Sequence, residues 1–258
     1  MHPVLIRIGP LSLHTYGVML AAGFLLGLAF AVRLGKREGI SSEKIIDIGF
    51  YVLLSAIAGS RLLFVAINAG FYLQHPLDAI KIWEGGLVFY GGLLLAVPVA
   101  VWYVKKHSLD MGRMMDLFAP SLAIGHAVGR LGCFFSGCCY GKPAGVPWAV
   151  TFLDPECVAM RGIPIHPTQI YESLGEFVNF LVLIALRRFQ SFKGQLLWTY
   201  ILLYSALRFV VEFFRGDVAR GFIAGGISVS QGISVVAGFV AFTVIVRNIL
   251  RRKEHGAL

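Results

Sequence analysis

The sequence predicts an all-α integral membrane protein with seven transmembrane helices and an ordered outer loop cap. Of its 258 residues 57% are apolar and only 14% are charged, and the mean hydropathy is +0.75. The apolar residues form runs about as long as the roughly 20 residues that a spanning helix needs. The 20 phenylalanines argue against disorder, and we expect a single polytopic domain over residues 1–258.

Seven apolar runs are the predicted spanning helices. The fourth and fifth runs are the least clearly defined of the seven. The runs cover residues 16–32, 45–67, 87–104, 115–132, 170–186, 196–214 and 227–246.

The basic residues predict the orientation in the membrane. Of the 23 lysines and arginines, 14 follow the first, third, fifth and seventh runs, and such clusters stay on the cytoplasmic side. The amino terminus is therefore expected outside and the carboxyl terminus in the cytoplasm. This distribution also accounts for the net charge of +9 without a nucleic-acid partner. The 14 residues are Arg33, Lys36, Arg37, Lys44, Lys105, Lys106, Arg113, Arg187, Arg188, Lys193, Arg247, Arg251, Arg252 and Lys253.

The outer loop cap, about residues 133–169, contains all four cysteines. On this topology they face an oxidising compartment, where disulfides persist, so a disulfide is favoured over free packing cysteines. The C-x4-CC spacing lacks the CxxC pair typical of zinc sites. We therefore predict neither a metal nor a cofactor. The four are Cys133, Cys138, Cys139 and Cys157.

Charged residues inside predicted spanning helices indicate a functional site, because a charge is costly in a bilayer. In the sixth helix Tyr204, Arg208, Glu212 and Arg215 follow one another at spacings of four, four and three, which places them on one stripe. The alternative is an Arg208–Glu212 pair that only neutralises itself.

The fourth helix places His126 and Arg130 on one face, four residues apart. Gly125 and Gly129 form a GxxxG surface suited to close helix approach. His126 is either a hydrogen-bonded packing residue or a base, and both interpretations stay open at this point.

Three other segments each allow more than one interpretation. Arg61 in the second helix either joins a site or extends to the outer interface. Tyr90, Gly91 and Gly92 open the third helix, where the glycines either admit an anion to the backbone or pack helices. In HPTQIYE, Glu172 shares a helix face with Gln169 and Glu176, while His166 is a cap, a proton carrier or a surface residue. Arginines on several helices favour a phosphate-bearing lipid, because guanidinium binds phosphate oxygens in pairs.

Several motifs, in order along the chain, resemble the bacterial prolipoprotein diacylglyceryl transferases. The motifs are LHTYGVML around Tyr16, GSRLLF around Arg61, GRLGCFFSGCCYG at 129–141, HPTQIYE at 166–172 and RFVVEFFR at 208–215. The resemblance covers nearly the whole chain. It implies an enzyme without a cofactor in the bacterial cytoplasmic membrane, which transfers the diacylglyceryl group of phosphatidylglycerol to the lipobox cysteine of a preprolipoprotein signal peptide.

The resemblance also implies roles for particular residues. Arg130 and Arg208 are expected to stabilise the departing phosphate, since preorganised charges act where charge develops. Substrate binding is expected of Tyr16, Arg61, Gly91, Gly92, Cys133, Gly141, Tyr204 and Glu212.

The chain departs from the family pattern at three positions. Tyr90 stands where the family usually has a histidine, and a phenol is a poor resting base, so Tyr90 is kept as a catalytic candidate without that role. Cys133 replaces an asparagine, and Cys138 replaces an acidic residue. Either His126 accepts the thiol proton, or the arginine field alone favours the thiolate. Two other functions are weighed: a membrane thiol-disulfide oxidoreductase that uses the loop cysteines, and a lipid or anion transporter.

Overall fold

A computed structural model describes residues 2–9, 11–217, 221–223 and 226–255. The chain forms two compact units. One comprises Met1–Ala31 and Met115–Leu258, and the other comprises Val32–Met114. The single membrane domain stays a prediction.

Each predicted apolar run overlaps one long helix, so the positions of the seven helices are confirmed. Among the described residues, the helices of at least 18 residues are α1 (Thr15–Arg37), α2 (Ser42–Ile67), α4 (Phe89–Lys106), α5 (Met111–Ser136), α6 (Thr168–Leu186), α7 (Gln195–Glu212) and α8 (Val229–His255), and a one-turn helix α3 (Ala69–Tyr72) follows α2.

Five of these helices are long and apolar enough to cross a membrane: α1, α2, α5, α6 with its extension to Phe189, and α8. Helices α4 and α7 have 18 residues each and are not among the five. The structure therefore supports a helical protein with several spans, and the number seven stays a proposal.

Two small sheets were not expected from an all-α sequence. Strands β1 (Val4–Ile8) and β2 (Leu11–His14) form an antiparallel hairpin before α1. Strands β3 (Val150–Thr151) and β4 (Pro164–Ile165) pair within the range of the predicted loop cap. These strands give the loop internal order, and its position outside the membrane stays a prediction.

Glycines allow α2 and α4 to pack closely within the unit Val32–Met114. A Cβ on Gly59 would overlap the carbonyl of Gly91, and a Cβ on Gly91 would overlap the carbonyl of Gly59. A Cβ on Gly92 would lie 2.9 Å from the carbonyl oxygen of Ala56. Small residues allow two helix backbones to approach in this way.

The same packing mode joins α1 to α5 in the other unit. A Cβ on Gly23 would lie 2.5 Å from the carbonyl oxygen of Gly125 and 3.3 Å from the backbone nitrogen of Gly129. The GxxxG surface expected on the fourth spanning helix is therefore confirmed, and it fixes the helix that carries His126 and Arg130.

A buried aspartate holds the start of α7. Asp116 on α5 accepts hydrogen bonds from the backbone N–H groups of Gly194, at 2.6 Å, and Leu196, at 2.7 Å. Gly194 has a φ of +87°, a conformation that suits glycine. Because the first N–H groups of a helix have no partner within it, this side chain supplies the missing acceptors.

We expect Asp116→Ala to lower the free energy of unfolding in detergent by about 1–3 kcal/mol, the cost of leaving a buried donor unsatisfied. Asp116→Asn keeps one carbonyl acceptor and should lose about half as much. Equal stability of Asp116→Ala and the unchanged protein in a chemical unfolding titration would contradict this role.

Candidate active site

The candidate site lies where polar residues of α5, α6, α7 and α8 meet in one compact unit. The helical spacings explain which residues face it: His126 and Arg130 are one turn apart on α5, and Tyr204, Arg208 and Glu212 follow at single-turn intervals on α7. The structure brings these two predicted groups together. Their meeting point is a carboxylate on α6.

Glu172 is the residue shared by the two arginines. Its Oε1 accepts a hydrogen bond from Arg130 Nη2 at 2.6 Å, and its Oε2 lies 3.9 Å from Arg208 Nη1. Glu172 is 1% exposed and Arg208 is 9% exposed. Two guanidinium groups from different helices therefore meet at one buried carboxylate.

A second carboxylate fixes Arg208. Its Nη2 lies 2.8 Å from Glu212 Oε2 and donates a hydrogen bond to Ser230 Oγ on α8 at 3.1 Å. Its Nη1 is buried and makes no hydrogen bond to the residues that the structure describes. The Arg208–Glu212 pair, which the sequence analysis weighed as the alternative, is thus present, and it leaves one guanidinium nitrogen facing the shared carboxylate at more than hydrogen-bond distance.

His126 is held against Arg130. Its Nε2 accepts a hydrogen bond from Arg130 Nε at 3.1 Å, so in this arrangement the ring proton is on Nδ1. Nδ1 lies 3.8 Å from Glu176 Oε2, which is beyond hydrogen-bond distance. The imidazole nitrogen that has the free lone pair is therefore already engaged by the guanidinium.

Tyrosines border the site. The ring of Tyr204 lies 5.3 Å from that of His126 and 6.1 Å from that of Tyr200, measured between centroids. Tyr16, at the start of α1, lies beside α5: a Cβ on Gly132 would be 3.2 Å from the Tyr16 carbonyl oxygen. Tyr16 is 41% exposed.

The loop after α5 is tied to the end of α7. Gly141 is buried, and its N–H donates to the carbonyl of His166 at 3.1 Å. A Cβ on Gly141 would overlap that same carbonyl. Gly141 also forms a β-bridge with Arg215, whose guanidinium pairs with both oxygens of Asp217. Gly141 is therefore explained by close backbone packing.

The HPTQIYE segment forms a polar cluster and a start for α6. Tyr171 Oη accepts a hydrogen bond from Trp148 Nε1 at 2.6 Å and lies 3.0 Å from His166 Nδ1. Thr168 and Gln169, both buried, donate to the carbonyls of Cys139 at 2.8 Å and Cys138 at 2.7 Å. His166 is thus a partner of Tyr171, and its role as a cap, a proton carrier or a surface residue stays a prediction.

All four cysteines are free thiols in the structure. The disulfide that the sequence favoured is therefore wrong for this structure, although the chain brings three of the thiols together. Hydrogen bonds with Cys133 and Cys138, together with the positive charges of Arg215 and Arg130, lower the pKa of Cys139. Cys133 lies one turn after Arg130 on α5.

The remaining sequence candidates belong to the unit Val32–Met114. Arg61 is 7% exposed and donates four hydrogen bonds to loop carbonyls: to Asp78, Ala79, Gly85 and Gly86, at 2.6, 2.8, 2.7 and 3.2 Å.

Tyr90 is 49% exposed. The N–H groups of Gly91 and Gly92 both donate to the carbonyl of Val88. Arg61 thus anchors a loop, and the two glycines pack helices.

Of the two groups that complete the site, sequence reasoning left Glu172 open between a functional and a structural role and missed Ser230. Glu172 shared a helix face with Gln169 and Glu176, but nothing in the spacing indicated that it pairs with arginines of two other helices. Ser230 gave no signal at all. An acidic residue in a predicted spanning helix is itself a sign of function, and this rule would have selected Glu172.

Comparison with known proteins gives one consistent result. Residues 3–247 match the family described as Prolipoprotein diacylglyceryl transferase. A Phosphatidylglycerol--prolipoprotein diacylglyceryl transferase of Finegoldia magna is 36% identical over 243 residues, covering 93% of this chain and 94% of that protein. Proteins of the same name from Geobacter sulfurreducens and Bacillus velezensis are 35% and 31% identical, and they cover 97% and 95% of this chain and 96% and 91% of their own lengths.

Proposed function

The chain belongs to the prolipoprotein diacylglyceryl transferase family, and we propose that Arg130, Glu172 and Arg208 form its reaction centre. It is a multi-pass membrane enzyme that transfers the diacylglyceryl group of phosphatidylglycerol to prolipoprotein. The observation that carries the proposed centre is the meeting of two guanidinium groups from α5 and α7 at one buried carboxylate.

The reaction that we propose is a displacement at a glycerol carbon. The sulfur of the lipobox cysteine forms a bond to that carbon, the bond from the carbon to the phosphate oxygen breaks, and glycerol phosphate leaves with the electron pair. The thiol gives up its proton to water, because the thiolate is the nucleophile. The enzyme therefore has to stabilise a developing phosphate charge and to favour a thiolate.

Arg130 and Arg208 are suited to both requirements. Arg208 Nη1 is a buried donor that no described residue satisfies, and a phosphate oxygen is the acceptor that a guanidinium fork binds best. Glu172 and Glu212 hold the two guanidinium groups in place before the substrate arrives. Because the positions are fixed in advance, little reorganisation is needed when the charge develops.

For the thiol proton we favour ionisation to water, promoted by the positive charge of the two arginines, over transfer to His126. The Nε2 lone pair of His126 accepts the hydrogen bond from Arg130 Nε, and it cannot bind a proton from the thiol while that bond persists. His126 is then a positioning residue, which orients the guanidinium through one acceptor atom.

If His126 is a positioning residue, two substitutions at this position should reduce the transfer rate to different extents. His126→Gln keeps an acceptor for Arg130 and should retain most of the activity, with an unchanged dependence of the rate on pH. His126→Leu removes the acceptor and should slow the transfer by about 10- to 100-fold, on the scale of a lost orienting partner. If both variants lose activity equally and the pH profile flattens, His126 is the base.

The remaining site residues are proposed with lesser roles. Tyr16, Tyr204, Glu212, Gly141 and Cys133 border the reaction centre or its loop, and we propose that they shape the substrate pocket. For the residues of the other unit, Arg61, Tyr90, Gly91 and Gly92, the structure supports loop anchoring and helix packing, and substrate contact is an additional proposal.

We also propose the orientation of the protein. Seven crossings with the amino terminus outside would place the cytoplasmic clusters, such as Arg33 and Arg247, on one side. In this arrangement the ordered loop lies at the outer face of the bacterial cytoplasmic membrane, where a signal peptide emerges. The test uses a variant whose four native cysteines are replaced by serine, with one new cysteine placed near one terminus at a time. In intact cells only the amino-terminal cysteine should react with a membrane-impermeant thiol reagent.

One experiment tests the whole proposal. The purified protein is incubated with phosphatidylglycerol and a lipobox peptide, and the peptide is weighed by mass spectrometry. The expected product is heavier by one diacylglyceryl group, and it is absent when the peptide cysteine is replaced by serine. A peptide recovered as a disulfide would indicate the oxidoreductase, while movement of lipid without any covalent product would indicate the transporter.

A further inference from the structure

Three thiols converge at the end of α5. The sulfur atoms of Cys133, Cys138 and Cys139 all lie within 4.8 Å of one another, and none of them is in a disulfide. Cys133 is in the last helical turn. Gly137, with a φ of +71°, then reverses the chain and brings the other two cysteines back toward it.

This convergence is held by the backbone. Cys139 has a φ of +58°, a left-handed conformation that residues other than glycine rarely adopt. The carbonyls of Cys138 and Cys139 are fixed by Gln169 Nε2, at 2.7 Å, and Thr168 Oγ1, at 2.8 Å. An unfavourable conformation persists only where the surroundings impose it, and such positions concentrate at functional sites.

We propose that Cys133, Cys138 and Cys139 form a binding site for one thiophilic d10 metal ion of the zinc class. A metal–sulfur distance of about 2.3 Å places the sulfurs of a trigonal or tetrahedral site about 4 Å apart. The three sulfurs, all within 4.8 Å of one another, lie close to this spacing. Thiolates are the ligands that such soft ions select.

The electrostatic surroundings suit the complex. Three thiolates around a divalent ion carry a net negative charge, and the positive charges of Arg215 and Arg130 act on this cluster. Three protein ligands leave the fourth position of a tetrahedral ion open, as in sites that exchange a ligand. The sequence spacing had argued against a metal, because C-x4-CC lacks a CxxC pair, but the turn at Gly137 brings the sulfurs together by another route.

Cys157 provides the matched control. It is buried, as Cys133 is, but its sulfur lies 4.0 Å from the carbonyl oxygen of Phe135, and it packs with Phe152, Ala159 and Ile165. It has the same chemistry as the other three thiols and lies in the same loop, outside the cluster.

The test is a Cd²⁺ titration of the reduced full-length protein in detergent, followed by competition with Zn²⁺. We expect one Cd²⁺ per chain, with a sulfur-to-metal charge-transfer absorption that Zn²⁺ removes. Cys157→Ser should leave the titration unchanged. Cys133→Ser, Cys138→Ser and Cys139→Ser should each weaken binding by more than about 100-fold, which is the upper end of the effect of losing a mere outer partner.

A second measurement needs no variant. Zn²⁺ should protect three thiols of the unchanged protein from alkylation and leave Cys157 as reactive as before, as counted by mass spectrometry of peptides. The proposal is overturned if no metal binds to the reduced protein, if the three serine variants bind as tightly as the unchanged chain, or if two of the thiols form a disulfide that re-forms in the presence of Zn²⁺. None of these readouts depends on transferase activity.

Discussion

Replacement of Arg130 or Arg208 by alanine is expected to slow diacylglyceryl transfer by about 100- to 1,000-fold, the loss that follows removal of one preorganised donor from a reaction centre. Each variant removes a guanidinium group that contacts Glu172 and, in our proposal, the departing phosphate. The rate is measured with saturating phosphatidylglycerol and lipobox peptide. The loss should lie mainly in kcat, because the interaction strengthens as the phosphate charge develops.

Two further substitutions make this result specific. Arg113→Ala removes an exposed arginine from the first turn of the same helix, α5, and should leave the rate unchanged. Arg208→Lys keeps the positive charge but replaces the planar fork with a point charge, so it should fall between the alanine variant and the unchanged enzyme. Undiminished turnover by either alanine variant would contradict the leaving-group role.

The helices could be predicted from the sequence because their signal is local. An apolar run of spanning length specifies a helix whatever its neighbours are, and α1, α2 and α5 were placed within a few residues. The hairpin of β1 and β2 was missed, because strands of only five and four residues carry no long periodic signal. The same locality explains why the sequence correctly placed His126 and Arg130 on one helix face, at i and i+4.

The contacts between helices could not be predicted in this way. Whether Glu172 faces α5 and α7 depends on the rotation of α6 about its axis, which the periodicity of one helix does not determine. Arg61 illustrates the converse: its motif suggested a ligand site, but its donors meet the carbonyls of Asp78, Ala79, Gly85 and Gly86. A loop that folds back onto a helix leaves no periodic trace.

The cysteines show how a turn changes an inference. The compartment and the spacing favoured a disulfide and disfavoured a metal, yet the reversal at Gly137 brings three sulfurs within 4.8 Å of one another. Ligand spacing rules describe particular loops. A positive φ at a position such as Cys139 is not visible in the sequence.

The largest effect on stability is expected for Glu172→Gln. This change preserves size but leaves two arginines without their shared carboxylate, and removal of one partner from a buried ion pair costs about 3–5 kcal/mol. The free energy of unfolding is measured by denaturant titration in detergent micelles, which avoids any dependence on turnover.

Glu176→Gln is the matched control, with the same substitution one turn further along α6. Glu176 is equally buried, but its neighbours are the Tyr200 hydroxyl, with which it forms a hydrogen bond, Asn179, 3.3 Å away, and the His126 ring. An amide replaces its carboxyl group without leaving an arginine unpaired, so we expect a change below about 1 kcal/mol. Equal losses in the two variants would mean that burial alone, and not the arginine pairing, makes Glu172 important.

A double-mutant cycle separates the pairing from general damage to the fold. If Glu172 stabilises Arg130 directly, Arg130→Met should lower the free energy of unfolding by less in the Glu172→Gln background than in the unchanged protein. The coupling free energy should be about 1–3 kcal/mol. Arg113→Ala, combined with Glu172→Gln in the same way, should give no coupling. The carboxylate that holds the guanidinium groups must also tolerate an arriving phosphate. A Glu172→Gln variant that is stable yet inactive would therefore place Glu172 in the reaction itself. A variant that is unstable yet active per folded molecule would restrict Glu172 to assembling the site.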